Sequence, residues 1–462
     1  MQRIAAAFCA GDLAALQAAV ADPSSVPNGP MPLAIDPCLE YVIYHNLLPF
    51  IRRVLDAMLL AVPRWSPMEP TVKRITLKRF RSIPFEQIDF DNPTIFVGRN
   101  GSGKSNLVSV FTFLAEAMAA PLQAVFDKAG GISSVRNRSL GKSYPPNLGL
   151  RVDFGRLNGK AIRGHYAFEI RALPNHGFEV LREQCRVGSE YWFDRNRGKF
   201  ASNVSGLKPL LDPASLALPL VGGEEKFSPV LRTLGAMRVY SIEPGKLRDM
   251  QEPDSGTSLK RDGSNVTSVL QEIQRHSEDD FHRIWETLES IVPNTKRVQV
   301  KKHGNRLSLV FTQQWGEKKR LLFEGFNMSD GTLRAIGLLA AVFQRPAPSL
   351  LAVEEPEATI HPGALESVLE LLRHASRHMQ VVITTHSPDL LDAKWIVDRH
   401  LRIVEWSEGA TRVSPVSDAT RKALQGHLMG AGELLRSNAL EPAPLFDDQL
   451  DLKQADLFEA LG

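Results

Sequence analysis

The sequence predicts an α/β fold with a mixed central sheet flanked by helices, and three observations carry that expectation. The first is a short apolar strand, Thr94 to Val97, that runs into Gly98-x-x-x-x-Gly103-Lys104-Ser105 and then into Leu107, Val108, Phe111 and Leu114 at helical spacing. The other two are continuous apolar runs, Ser349 to Val353 and Gln380 to Thr385, the pattern of parallel strands buried on both faces.

With 462 residues the chain can hold two or three globular units, or one large domain carrying insertions. Lys and Arg number 55 against 52 Asp and Glu, a formal charge of +3. Whole-chain charge therefore gives no argument for nucleic acid, and any such contact has to come from local basic clusters. The three cysteines, Cys9, Cys38 and Cys185, are far apart and odd in number. They form neither a disulfide framework nor a zinc spacing, which fits a reducing cytosol. No apolar run approaches a membrane span and the N-terminus lacks a charged-then-apolar signal pattern, so a soluble cytoplasmic protein without a membrane partner is expected.

Residues 1–67 read as a helical extension. Ala5 to Ala21 and Leu39 to Leu60 carry helical spacing across a Pro/Ser/Asn-rich link, Asp22 to Pro32. Two readings stand: a degenerate ankyrin-like hairpin, of whose Thr-Pro-Leu-His tetrapeptide only Pro32-Leu33 is present, or a plain extension that packs on the core. The main domain spans 68–440. Val72 to Phe80 alternates like a strand and leads through Arg81 and Ser82 to Phe85, Ile88 and Phe90. Between about 120 and 325 an inserted lobe is expected, β-rich at Leu148 to Trp192 and helical at Asn265 to Ile291. Further strands are expected at Met237 to Ile242, Arg297 to Val300, Leu307 to Phe311 and Lys319 to Phe323. After residue 386 come a strand pair, Leu401 to Trp406 and Thr411 to Pro415, a helix over Asp418 to Leu435, and an acidic, Pro-punctuated tail at 441–462 expected to be flexible.

The chemistry concentrates at three places. Gly98, Gly101 and Gly103 let the backbone around Arg99, Asn100 and Ser102 curl with its amides inward, a concave anion site completed by the N-terminus of the following helix. In such a phosphate-binding loop Lys104 reaches the β- and γ-phosphates and the Ser105 hydroxyl completes a Mg2+ shell. Strand Ser349 to Val353 ends in Glu354-Glu355-Pro356-Glu357, at the carboxyl edge where an open α/β sheet places its ligand. Neighbouring side chains of a strand point to opposite faces. Glu354 is therefore assigned to the metal and Glu355 to the general base that faces the attacking water. Strand Gln380 to Thr385 ends at His386, whose imidazole is placed to meet a γ-phosphate. Finally, Ser329 or Asp330 caps an apolar helix, Leu333 to Phe343, and Gly331 permits close approach of a ligand.

Taken together, Gly98 to Ser105, Ser329 to Gly331, Leu351 to Glu357, His361-Pro362 and Thr384 to Pro388 resemble the ABC-type ATPases of the RecF, OLD and SMC group. The likeness is closest to stand-alone "AAA family ATPase" proteins of AbiEii-toxin-like type, and it spans roughly residues 71–440. It implies a P-loop NTPase of ABC-ATPase type that binds ATP and Mg2+ and hydrolyses ATP to ADP and phosphate. It further implies Walker A at Gly98 to Ser105, with Asn106 beside it; the signature motif at Ser329, Asp330 and Gly331; Walker B ending at Glu354; the catalytic acid at Glu355; the switch histidine at His386; and a nucleotide contact at Arg81. One feature departs from the pattern. Glu243-Pro244 stands where relatives carry the Q-loop glutamine, with Gln251 nearby but out of register.

In this family the signature helix of one protomer closes on the nucleotide of the other, so an ATP-dependent homodimer is implied. The expected role is a switch acting on DNA or on an effector, a nuclease or toxin encoded separately, in DNA repair and maintenance or anti-phage defence. Candidate DNA contacts are the loop Lys128, Arg136, Arg138 and Lys142 and the segment Lys296, Arg297, Lys301, Lys302, His303 and Arg306. An alternative is a nucleotide-dependent scaffold or toxin–antitoxin component with little turnover. A transporter ATPase subunit is the weaker alternative, because the long insertion and Glu-Glu-Pro-Glu depart from transporter-like sequences.

Overall fold

The computed structural model describes residues 70–137, 147–157, 161–175, 177–315, 319–444 and 457–458, all within a compact unit, Pro67–Gly462. The expected extension at 1–67, Arg138, Lys142 and most of the tail lie outside the described residues. In chain order the strands are β1 (Val72–Phe80), β2 (Ile83–Asp89), β3 (Thr94–Val97), β4 (Asn147–Phe154), β5 (Gly164–Ala172), β6 (Phe178–Val187), β7 (Tyr191–Asn196) and β8 (Lys199–Ser202). They continue with β9 (Met237–Tyr240), β10 (Thr295–His303), β11 (Arg306–Trp315), β12 (Lys319–Glu324), β13 (Leu350–Glu354), β14 (Gln380–Thr385), β15 (Leu401–Ser407) and β16 (Ala410–Ser414).

A six-stranded sheet in the order β16-β15-β3-β14-β13-β9 forms the centre. Its neighbours pair in parallel except for β16, which runs antiparallel at the edge. The apolar runs are continuous because both faces are covered. On β13, Leu350 and Ala352 enter one core while Leu351 and Val353 enter the other. The first core is filled by helix α1 (Lys104–Ala119), which lies between the central sheet and a seven-stranded antiparallel sheet, β2-β1-β4-β5-β6-β7-β8. That position explains why α1 is buried on nearly every side, through Leu107, Val110, Phe111, Leu114 and Met118. The second core lies under α2 (Val266–His276), α3 (Glu278–Ile291), α4 (Asp330–Phe343) and α5 (Pro362–Ala375), with a three-stranded sheet β10-β11-β12 alongside.

Three expectations need correction. The antiparallel sheet is not wholly inserted: β1 pairs with both β2 and β4, so two strands from before the phosphate loop complete it. The helical stretch Asn265 to Ile291 is two helices, because Ser277 breaks it and caps α3 by accepting from the Asp280 amide at 3.1 Å. Likewise Asp418 to Leu435 splits into Asp418–Gln425 and Ala431–Arg436 around Gly426 and Gly430.

Within the acidic tail, Leu457 and Phe458 are 2% and 7% exposed. They cluster with Ala167 on the antiparallel sheet. A Cβ on Gly149 would lie 2.3 Å from Leu457 Cδ1, Arg151 donates to the Leu457 carbonyl at 3.1 Å, and the Arg182 guanidinium lies 4.3 Å from the Phe458 ring centroid. Small residues make the socket and two arginines close it. Leu457→Ala is expected to detach this anchor at a cost of about 2 kcal/mol, the transfer of one leucine side chain. Denaturant unfolding would show it as a lowered midpoint; an unchanged midpoint would mean the contact is energetically idle.

Candidate active site

The phosphate loop leaves β3 at the middle of the central sheet. Its first amide, on Gly98, donates to the Thr385 carbonyl at the end of β14 (3.3 Å). Two glycines are sterically required. A Cβ on Gly98 would sit 2.2 Å from the Val404 carbonyl oxygen, and one on Gly103, at φ 101°, 1.9 Å from Thr411 Oγ1. Lys104 opens α1 and is 6% exposed. Its ammonium donates to the Gly98 and Arg99 carbonyls at 2.7 and 3.1 Å. Burial lowers its pKa, opposed by the charges of Glu355 and Glu357, which places those carboxylates within electrostatic reach of the loop. Asn100, Gly101 and Ser105 are exposed, whereas Ser102 is buried with its hydroxyl unpartnered.

Arg81 and Asn106 do a different job from the one expected of nucleotide contacts alone. Asn106 donates to Ser82 Oγ at 2.9 Å and accepts from Arg81 at 3.5 Å. Ser82 in turn bonds Thr411 at 2.8 Å, and Thr411 donates to the Ser102 carbonyl at 3.1 Å. This chain of bonds ties loop, helix and antiparallel sheet into one piece.

The acids converge from two strands away. Glu354, the last residue of β13, is 8% exposed. Glu355 follows in a left-handed conformation, φ 45°, held by its amide donating to the Thr384 carbonyl at 3.0 Å. That conformation is uncommon for a residue with a side chain. Its carboxylate shares a 3.1 Å hydrogen bond with His386 Nδ1, just past the end of β14. The strand order β3-β14-β13 thus lines up Lys104, His386 and Glu355 along one edge of the sheet.

Two site residues escaped the sequence reading. Glu357 accepts from Thr385 Oγ1 at 2.5 Å, its other oxygen is buried without a partner, and burial raises its pKa. Arg334, on α4, donates to the Glu355 carbonyl at 3.3 Å; burial lowers its pKa against the opposing pull of Glu357, Glu355 and Asp330. Glu357 stands as the last acid of Glu-Glu-Pro-Glu and could have been found there. Arg334 carries no local signal.

The start of α4 packs against the segment after Glu355. Ser329 caps the helix, accepting from the Thr332 amide at 3.3 Å, and Asp330 pairs with Arg248 at 2.5 Å. A Cβ on Gly331 would lie 2.6 Å from the Thr359 carbonyl oxygen. In this chain those three residues thus contact their own helix, Arg248 and Thr359. Gln251 is equally committed. It donates to the Lys246 carbonyl at 3.0 Å and accepts from the amide and hydroxyl of Thr267 at 3.0 and 2.9 Å, so its amide is engaged by its own neighbourhood.

A hard divalent cation fits here. Glu354 already holds a cation, the guanidinium of Arg261 at 2.5 Å, and Ser105 is exposed on the first turn of α1. Among the described residues no cluster of three or more His, Cys, Asp or Glu could hold a metal by itself. Phosphate and water oxygens would have to supply the remaining ligands, as Mg2+ prefers. Several of the candidate DNA contacts have partners on the surface. Lys128 pairs with Glu116, Lys296 with Glu289, Lys301 with Glu324 and Arg306 with Glu252, while Arg297 lies over the Trp285 ring.

A phosphate-cradling loop at the middle of a largely parallel sheet, with acids and a histidine at neighbouring strand ends, defines a P-loop ATPase. The chain belongs to the family described as "AAA domain, putative AbiEii toxin, Type IV TA system", whose model matches residues 94–212 and 254–392, more than half of its length. Among solved structures it is similar to the Smc head bound to the C-winged helix domain of ScpA, at 14% identity and TM-score 0.50, over 76% of this chain and 99% of that one. It is also similar to the Smc head with an extended coiled coil, bound to the C-terminal domain of ScpA, derived from Pyrococcus furiosus. That match has 13% identity and TM-score 0.50, over 78% and 99% of the two chains. At such identities the likeness is one of fold. No curated protein matches the sequence. Among the described residues no helix is long and apolar enough to cross a membrane.

Proposed function

We propose that the protein is an ATP-hydrolysing switch. Lys104, with Gly98 to Ser105, holds the triphosphate; Glu354 and Ser105 hold Mg2+, whose charge supports the phosphates; and Glu355, oriented by His386, is the general base. The observation that carries this reading is the strained Glu355, bonded to His386 at 3.1 Å and within electrostatic reach of Lys104. Phosphate release by the purified wild type, set against Lys104→Ala and Glu355→Gln, tests it; turnover that survives both substitutions defeats it.

The switch works as a dimer in this reading. Ser329, Asp330 and Gly331 form a second anion-ready helix start, which suits the nucleotide of a second copy. Light scattering behind size exclusion is expected to find Glu355→Gln as a dimer with ATP and a monomer without it; a monomer under both conditions rejects the sandwich. DNA or a separately encoded effector in repair or anti-phage defence is the target of the switch. The ion pairs on β10 favour the effector, because cations already matched to carboxylates release few counterions from a phosphate backbone.

A further inference from the structure

Arg261 connects Glu354, at the end of β13, to the segment that follows β9. Its guanidinium lies 2.5 Å from Glu354 Oε1 and is half-exposed, while the carboxylate it covers is nearly buried. The backbone that carries it is fixed on both sides. Ser241 donates to the Arg261 carbonyl at 2.9 Å and Glu243 to the Asp262 carbonyl at 3.0 Å, so the segment is sewn to the end of β9.

The rest of the loop is equally built. Buried Asn265 donates to Asp254 Oδ2 at 2.9 Å and to the Ser258 carbonyl at 3.0 Å, and it accepts from the Lys260 amide at 2.8 Å. Gly263, at φ 81°, fits where a Cβ would press on Leu247 Cδ1 at 2.6 Å. The loop is also fastened to the signature helix. The Leu259 amide donates to Gln344 Oε1 at 3.1 Å, and Gln344 caps the far end of α4. Arg261 thus stands at one end of a short, rigid connection whose other end is the helix that begins with Ser329.

Arg261 takes one oxygen of Glu354, and its positive charge opposes a divalent cation on the other. Arg81 lies within electrostatic reach of Arg261. We propose that Arg261 is a positioning residue that keeps the cation seat on Glu354 filled in the nucleotide-free chain. It gives the seat up when cation and nucleotide arrive, and the loop Asp254 to Asn265 thereby loses one of its tethers. This inference rests on the reading of Glu354 and the phosphate loop given above.

Two measurements on the full chain test it, neither of them turnover. The first is Mn2+ affinity without nucleotide, followed by electron paramagnetic resonance. Arg261→Gln is expected to bind Mn2+ about two- to fivefold more tightly than wild type, the fold-change that matches a partly exposed ion pair, and the charge-conserving Arg261→Lys to stay near wild type. The second is hydrogen exchange of the amides of residues 254–265, expected to speed up in wild type when Mg2+ and the non-hydrolysable analogue AMPPNP are added. If AMPPNP binds wild type and either readout stays unchanged, the role of Arg261 is overturned and the phosphate-loop reading stands. If AMPPNP fails to bind wild type, or binds Lys104→Ala equally well, the phosphate-loop reading falls and this inference with it.

Discussion

Glu355→Gln is expected to cut ATP turnover at least about 100-fold while leaving ATP bound, the loss typical of removing a positioned general base. The amide is close in size and shape to the carboxylate, so it disturbs neither the backbone bond to Thr384 nor the 3.3 Å contact between Arg334 and the residue's carbonyl. What it cannot do is accept a proton from water. The neighbouring His386 cannot take over fully, since it reaches the reaction only alongside the carboxylate it bonds at 3.1 Å. Steady-state phosphate release and fluorescent-nucleotide binding, measured on the same preparation, separate the two effects. Turnover within tenfold of wild type would remove Glu355 from the role of base. His386→Ala should have a smaller effect, because it loosens the base without removing it.

How far the residues disclosed this site depended on whether the signal was local. The continuous runs at Ser349 to Val353 and Gln380 to Thr385 announced strands buried on both faces, and the alternation of Leu350 and Ala352 with Leu351 and Val353 between two cores accounts for that pattern. The phosphate loop carried a local signal in its spacing, whereas the acids at the end of β13 drew their reading from that loop upstream. Arg261 was not. It is a half-exposed arginine in a polar stretch, and only the docking of its loop against β9 brings it to Glu354. The same holds for Leu457 and Phe458: an acidic, Pro-punctuated segment reads as solvated until the gap left by Gly149 gives Leu457 a place to go. The break at Ser277 had a local signal, a serine followed by Glu278, Asp279 and Asp280 in the first turn of α3. It was hidden by apolar spacing that continued across it.

Lys104→Ala is expected to weaken ATP binding at least about 30-fold, roughly 2 kcal/mol, the worth of hydrogen bonds to a charged group. Among the described residues the ammonium donates to the Gly98 and Arg99 carbonyls, at 2.7 and 3.1 Å, and burial already depresses its pKa. Its position is therefore electrostatically uncomfortable until phosphate arrives. Removing it should cost the fold little, about 1 kcal/mol or less, since the relief of a buried charge offsets the two lost bonds. Calorimetric titration with ATP, paired with denaturant unfolding, reads both quantities; affinity within threefold of wild type would show that the lysine does not meet the phosphates. Gly103→Ala supplies the contrasting case. It keeps the ammonium, but its methyl would meet Thr411 Oγ1 at 1.9 Å with the backbone at φ 101°. Loss of ATP binding there, with Lys104 intact, would mean that the curl of the loop contributes as much as the charge.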